Sequence, residues 1–348
     1  MSGDFRADRT RRFITSRSRT QRTTAEWPIH IPVFGKPRRS QGYNEQTGRD
    51  ESAKQVCPRV IRPLPPEHLS DTLWSVLLTQ NSEPEILEPL AGPKAPTLTV
   101  VAQGPPIVFL HGWGLTPRVY GRSLSTLVRQ GHRVVTPTLP GFGGTPDHPP
   151  HARSFAGYAA WLGRFLDSAG IDEPVTLVGH SFGGGVAIQT AHDLPERVAR
   201  VVLVNSVGGG AWSAGGQAIR HIGERPLWDW GASALGEALS IRSIAHTAAS
   251  LVNGFIPNTV RDPGAVWRTA HLARRADLRT ELRTLANRGL PVTLLWGLGD
   301  RTIPVASLES LRTALRNPPV LTVAGGHGWL IHDPTAFADA IGRALDAM

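Results

Sequence analysis

Ser181 stands at the centre of Gly179-His180-Ser181-Phe182-Gly183, a G-x-S-x-G pattern. A serine hydroxyl is a weak nucleophile until a base removes its proton. The chemistry open to it is attack on a carbonyl carbon, given a histidine, a carboxylate and oxyanion donors elsewhere in the chain. The two glycines fit that use. A serine whose hydroxyl projects from a sharp strand-to-helix turn leaves no room for side chains two residues before or after it. The pattern alone is also what an ordinary glycine-rich turn between a strand and a helix would show. Its flanks add weight: the apolar run Val175-Thr176-Leu177-Val178 precedes it, and a helix-compatible stretch, Val186 to Leu194, follows. A helix starting there points its positive end at a developing anion.

The candidate base is His327, in Gly325-Gly326-His327-Gly328, directly after the last apolar run, Val320 to Val323. Of the other histidines, His332 beside Asp333-Pro334 reads as a surface or capping residue, and His180 reads as packing. The carboxylate that fixes the base's tautomer belongs at one of two strand ends. Asn205-Ser206, after Val201 to Val204, offers no acid; Gly297-Leu298-Gly299-Asp300, after Val292 to Trp296, offers Asp300. The order Ser181, Asp300, His327 is the Ser…Asp…His order of one fold class. His111-Gly112-Trp113-Gly114 follows the run Ile107 to Leu110. Its Trp113 backbone N–H, with that of Phe182, makes the expected oxyanion pair; one such donor is worth roughly 10²–10³ in rate. The His111 imidazole reads as a support for the loop.

These residues need strands to present them. Most of the runs named above, with Val134-Val135 and Leu98 to Val101, are continuous apolar segments without alternation, as suits strands buried on both faces. Helical patterns alternate with them; Phe155, Tyr158, Trp161, Leu162, Phe165 and Leu166 form one apolar stripe. Strand–helix alternation predicts a mostly parallel sheet covered on both sides. Leu73 to Leu78 reads as a short docking helix and Pro84 to Pro96 as a connector. From Ser206 to Gly289 no strand is expected; this stretch, with Trp212, Trp228, Trp230 and Trp267, reads as a helical insertion. The expected division is a basic, low-order segment over 1–70, a connector over 71–96, and the folded domain over 97–348.

Of the 348 residues, 40% are hydrophobic and 19% charged, the balance of a soluble globular chain. The net charge of +9 is concentrated in residues 1–64, whose balance is +8. That segment reads as a solvated tail, or as the product of a start codon placed too far upstream, rather than as a nucleic-acid or lipid site. The single cysteine, Cys57, excludes an intramolecular disulfide and a Cys-based metal site. No run of about eighteen apolar residues marks a membrane helix. Thr10-Arg11-Arg12-Phe13-Ile14 lacks the apolar region an export signal needs, because Ser16 to Thr24 is polar and basic. The expected location is cytoplasmic.

Residues 97–348 resemble the α/β-hydrolase superfamily, specifically its helical-cap branch of the AB hydrolase-1 type. The resemblance rests on HGWG (His111 to Gly114), LPGFGGT (Leu139 to Thr145), VGHSFGG (Val178 to Gly184), WGLGD (Trp296 to Asp300) and GGHGW (Gly325 to Trp329). It implies an eight-stranded sheet, a cap over about 207–288, and catalysis without metal or organic cofactor. Serine rather than aspartate at position 181 argues against the dehalogenases and epoxide hydrolases of that branch. The implied activity is ester hydrolysis through an acyl-enzyme on an apolar small molecule. C–C bond, thioester or lactone hydrolysis, cofactor-free haloperoxidation, and non-catalytic ligand binding are the alternatives.

Overall fold

A computed structural model describes residues 105–213, 219–225 and 251–347, together with the backbone of 75–77. The expected segment 1–70, the expected connector 71–96 apart from 75–77, and the strand at Leu98 to Val101 lie outside these residues, as do Trp228 and Trp230.

Each apolar run inside them becomes a strand. Chain order gives β1 (Ser75–Leu77), β2 (Ile107–Leu110), β3 (Val134–Pro137), β4 (Val175–His180) and β5 (Val198–Val204). A two-stranded ribbon of β6 (Ala211–Trp212) and β7 (Arg220–His221) follows, then β8 (Val292–Gly297) and β9 (Val320–Val323). The main sheet runs β1-β3-β2-β4-β5-β8-β9, parallel throughout except for β1, which pairs antiparallel to β3.

Two expectations need correction. Within the expected helix Leu73 to Leu78, the described residues Ser75–Leu77 form instead the edge strand β1, with Ser75 opposite Pro137. A run of six residues is strand length and too short for a stable helix, and the open edge of β3 offers backbone partners. The stretch from Ser206 to Gly289 is not free of strands either, since β6 and β7 pair antiparallel there. Two residues per strand are too short to leave a pattern of alternation.

The helices are α1 (Gly121–Arg129), α2 (Phe155–Ser168), α3 (Phe182–Asp193), α4 (Ile256–Arg261), α5 (Pro263–Arg274), α6 (Arg279–Asn287), α7 (Val305–Ala314), α8 (Trp329–His332) and α9 (Pro334–Asp346). Strand side chains alternate between two cores. Val108, Leu110, Leu177, Val201 and Leu203 pack with residues of α2, α3, α6 and α7. Ile107, Phe109, Val178, Val202 and Val204 pack with α1 and α9. Helix α6 buries Leu282 and Leu285 in the first of these cores. Trp267, by contrast, is 59% exposed on α5.

The chain leaves β2 for β3 on one side, then returns to place β4 on the other side of β2. Loops leaving β2 and β4 therefore diverge at the carboxyl edge. In open sheets of this kind the resulting crevice is where ligands bind. Among the described residues, no helix is long and apolar enough to cross a membrane, and no group of histidine, cysteine, aspartate or glutamate could hold a metal ion.

Candidate active site

Ser181 is held at φ 53° and ψ −115°, a backbone region that suits glycine, at the joint between β4 and α3. Such a conformation costs about 1–3 kcal/mol and persists only where neighbours impose it. Here the Ser181 N–H donates to Val204 O at 3.0 Å, and its carbonyl accepts from Gly184 N at 3.0 Å and Val207 N at 3.2 Å. The exit of β5 thus clamps the turn. A Cβ on Gly179 would lie 2.5 Å from Gly183 O, and one on Gly183 would overlap Leu110 O. Gly179 is required because the first turn of α3 folds back over it, and Gly183 because α3 begins against the end of β2. The Ser181 hydroxyl makes no capping bond to the helix it precedes. Phe182 is the first residue of α3, where amides have no partner within the helix. Its buried ring packs against Phe142, Phe155 and Tyr158.

At the end of β2, the buried His111 ring has one assignable tautomer. Leu139 N donates to its Nε2 at 3.0 Å, so the proton sits on Nδ1, which donates to Gly112 O at 3.0 Å. Burial holds this imidazole down to about 4 and keeps it neutral. Leu115 N also donates to Gly112 O, at 3.2 Å. Because a trans peptide points its N–H opposite to its C=O, fixing the Gly112 carbonyl fixes the Trp113 N–H. His111 therefore orients that amide, which extends the supporting role expected of it.

The loop is also tied to the excursion between β5 and β8. Trp113 Nε1 donates to Val266 O of α5 at 2.8 Å, and its ring meets Phe255 edge-on at 5.2 Å. Asn258 of α4, only 2% exposed, donates to Gly114 O at 3.0 Å and accepts from Gly143 N at 2.7 Å. One amide thus bridges the loop after β2 and the loop after β3.

At the ends of β8 and β9, His327 Nδ1 and Asp300 Oδ2 are 2.9 Å apart. Asp300 Oδ1 accepts from Thr302 N at 2.8 Å and Ile303 N at 2.9 Å. Burial pushes the Asp300 carboxyl up, but the neighbouring His327, the Ile303 amide and the Asn205 side chain outweigh it and leave the group below its ordinary value. An ionised Asp300 keeps the proton of neutral His327 on Nδ1 and its lone pair on Nε2. The buried Arg225 steadies the following loop by donating to Thr302 O at 2.5 Å and Arg301 O at 3.3 Å.

Ser181, Phe182, Trp113, Asp300 and His327 thus all lie at carboxyl ends of parallel strands, and Asp300 is hydrogen-bonded to His327. Sequence reasoning passed over Asn205 for want of an acid. It is fully buried at a φ of 44°, and its side chain serves Asp300, Gly297 N (3.2 Å) and Trp329 Nε1 (2.8 Å). His332 ends α8, and the capping role beside it falls to Asp333, which accepts from Ala336 N at 2.9 Å. His180 is buried, with both ring nitrogens hydrogen-bonded.

The family model described as "Alpha/beta hydrolase family" matches residues 107–340. The chain belongs to the alpha/beta hydrolase family. It is 30% identical over 230 residues to a pimeloyl-(acyl-carrier protein) methyl ester esterase of Aromatoleum aromaticum, covering 61% of this chain and 86% of that protein. It is 28% identical over 259 residues to a putative non-heme haloperoxidase of Mycobacterium phage D29, covering 71% and 90%. Among solved structures it is similar to a thermophilic esterase from Thermogutta terrifontis, with a TM-score of 0.55, 19% identity, and coverage of 70% of this chain and 90% of that one. That likeness is one of fold.

Proposed function

We propose that this alpha/beta hydrolase is a serine hydrolase that cleaves an ester-type carbonyl compound through an acyl-enzyme on Ser181. The observation that carries the reading is the strained Ser181 turn at the switch point of a sheet whose strands β8 and β9 end at the hydrogen-bonded Asp300–His327 pair. His327 Nε2 takes the Ser181 proton as Oγ attacks the carbonyl carbon. Asp300 stabilises the imidazolium that forms. The amides of Trp113 and Phe182 receive the oxyanion, and His327 returns the proton to the leaving alcohol. Water, deprotonated by the same histidine, then releases the acid.

The excursion between β5 and β8 is proposed as the cap. Phe255 against Trp113, both partly buried, supplies aromatic surface next to the proposed Trp113 oxyanion amide. Such walls favour an apolar acyl group. The similarity to an enzyme named a methyl ester esterase supports an ester over the other bonds this fold hydrolyses. A panel of chromogenic esters of increasing acyl length, given to wild type and Ser181→Ala, tests the reading. Turnover by wild type that vanishes in the variant is expected; equal turnover by both would refute it.

A further inference from the structure

We propose that Tyr120 and His180 form a buried strut that locks the Trp113 amide loop and the His327 loop into one frame, both acting as positioning residues. The inference rests on the serine-hydrolase reading of the site and adds two residues to it.

Three hydrogen bonds make the strut. Gly112 N donates to Tyr120 Oη at 3.1 Å, Tyr120 Oη lies 2.8 Å from His180 Nδ1, and His180 Nε2 lies 3.0 Å from His327 O. Their directions follow from donor chemistry. A carbonyl oxygen can only accept, so His180 Nε2 carries a proton. A neutral ring then has its lone pair on Nδ1, which must accept from the Tyr120 hydroxyl. The hydroxyl's own lone pair takes the Gly112 N–H. No donor or acceptor along this line can be reversed without leaving another buried group unpaired.

The strut reaches both halves of the proposed machinery. Gly112 N–H is fixed by Tyr120 and Gly112 C=O by His111, so the residue that sets the direction of the Trp113 N–H is held from two sides. At the other end the strut grips the backbone of His327 itself. His180 also lies alongside the His327 ring, with centroids 4.9 Å apart. A charged His180 would oppose the imidazolium that His327 becomes during turnover. Full burial, with the neighbouring His327, pushes the His180 pKa down to about 3, and a hydroxyl donated by Tyr120 to Nδ1 fits only the neutral ring. The space is built for the pair: a Cβ on Gly112 would crowd His180 Nδ1 at 3.0 Å and Tyr120 Oη at 3.1 Å.

Tyr120→Phe keeps the ring against Phe109, whose centroid is 4.9 Å away, and removes only the hydroxyl. Its kcat on a short ester is expected to fall about 10- to 100-fold with KM nearly unchanged, because misplacement of catalytic groups acts on the transition state. Fluorophosphonate labelling of Ser181 should slow by the same factor. His180→Gln, which retains a donor for His327 O, should keep more kcat than His180→Leu; the pair also serves if Tyr120→Phe does not fold. ¹⁵N spectra of the wild-type imidazoles should show His180 as a neutral Nε2–H tautomer at neutral pH. An Nδ1–H tautomer, or folded variants with wild-type kcat, would overturn the strut. A wild type that turns over no ester would instead defeat the functional reading, leaving the tautomer measurement to judge the strut on its own.

Discussion

The Asn205 amide donates at 2.5 Å to Asp300 Oδ2, the same oxygen that meets His327 Nδ1. Asn205 therefore fixes the carboxylate oxygen that orients the imidazole, while its own Oδ1 is held by Trp329 and Gly297. Asn205→Leu removes the donor from Asp300 and strips two buried N–H groups of their acceptor. A stability loss of about 1–3 kcal/mol per unpaired group is expected. Since this amide helps to lower the Asp300 pKa, the acid limb of kcat/KM against pH should also move upward. Denaturation and pH–rate profiles of the two proteins check both effects.

Asn258→Ala unfastens helix α4 from the loops after β2 and β3 at once. The expected cost is about 1–3 kcal/mol of stability from the amide and carbonyls left unpaired. Because the freed loop carries Trp113, kcat should fall more than KM rises. Steady-state kinetics on one ester, beside a denaturant titration, separates this from simple loss of folded protein.

The protein should lose stability in acid through its two fully buried neutral histidines. Folded His111 and His180 take up protons near about 4 and about 3, against 6.5 in the unfolded chain. Below about pH 6.5 the unfolded chain binds protons that the folded one refuses, so stability falls as pH drops toward the folded values. At pH 5 the expected loss is roughly 2 kcal/mol per ring. Asp300, lowered in the folded state, acts in the same direction at lower pH, as its ionised form is lost. Tm measured from pH 8 to pH 4.5 should decline most steeply below about 6.5; a flat curve would contradict the assignment of both rings as neutral.

Ser181 pays for its position in backbone strain. Glycine accepts a φ of 53° without penalty, so Ser181→Gly should be more stable than wild type by about 1 kcal/mol while inactive. Ser181→Ala should be inactive without that gain. Thermal unfolding of the three proteins decides the matter.

The strands that present Trp113 and Ser181 are legible in the sequence because they are buried on both faces, so Ile107 to Leu110 reads as an unbroken apolar run and Val175 to Val178 as one interrupted only by Thr176. Asp300 was reachable by elimination between two strand ends. The same elimination hid Asn205, since a search for an acid discards the amide that holds one. Asn258 left no local signal: its partners Gly114 and Gly143 lie more than a hundred residues away, and an asparagine early in a short helix looks like a capping residue. The ribbon of β6 and β7 is too short to show a period. The sequence expects the His111 imidazole to support its loop; which carbonyl it grips depends on how the loop after β2 folds.

The most direct measurement is covalent: react the full-length protein with a fluorophosphonate, determine its intact mass, and map the modified peptide. One adduct on Ser181, absent from Ser181→Ala and much slowed in His327→Ala, is the predicted result. An unmodified wild type, or an adduct carried equally by Ser181→Ala, would contradict the account.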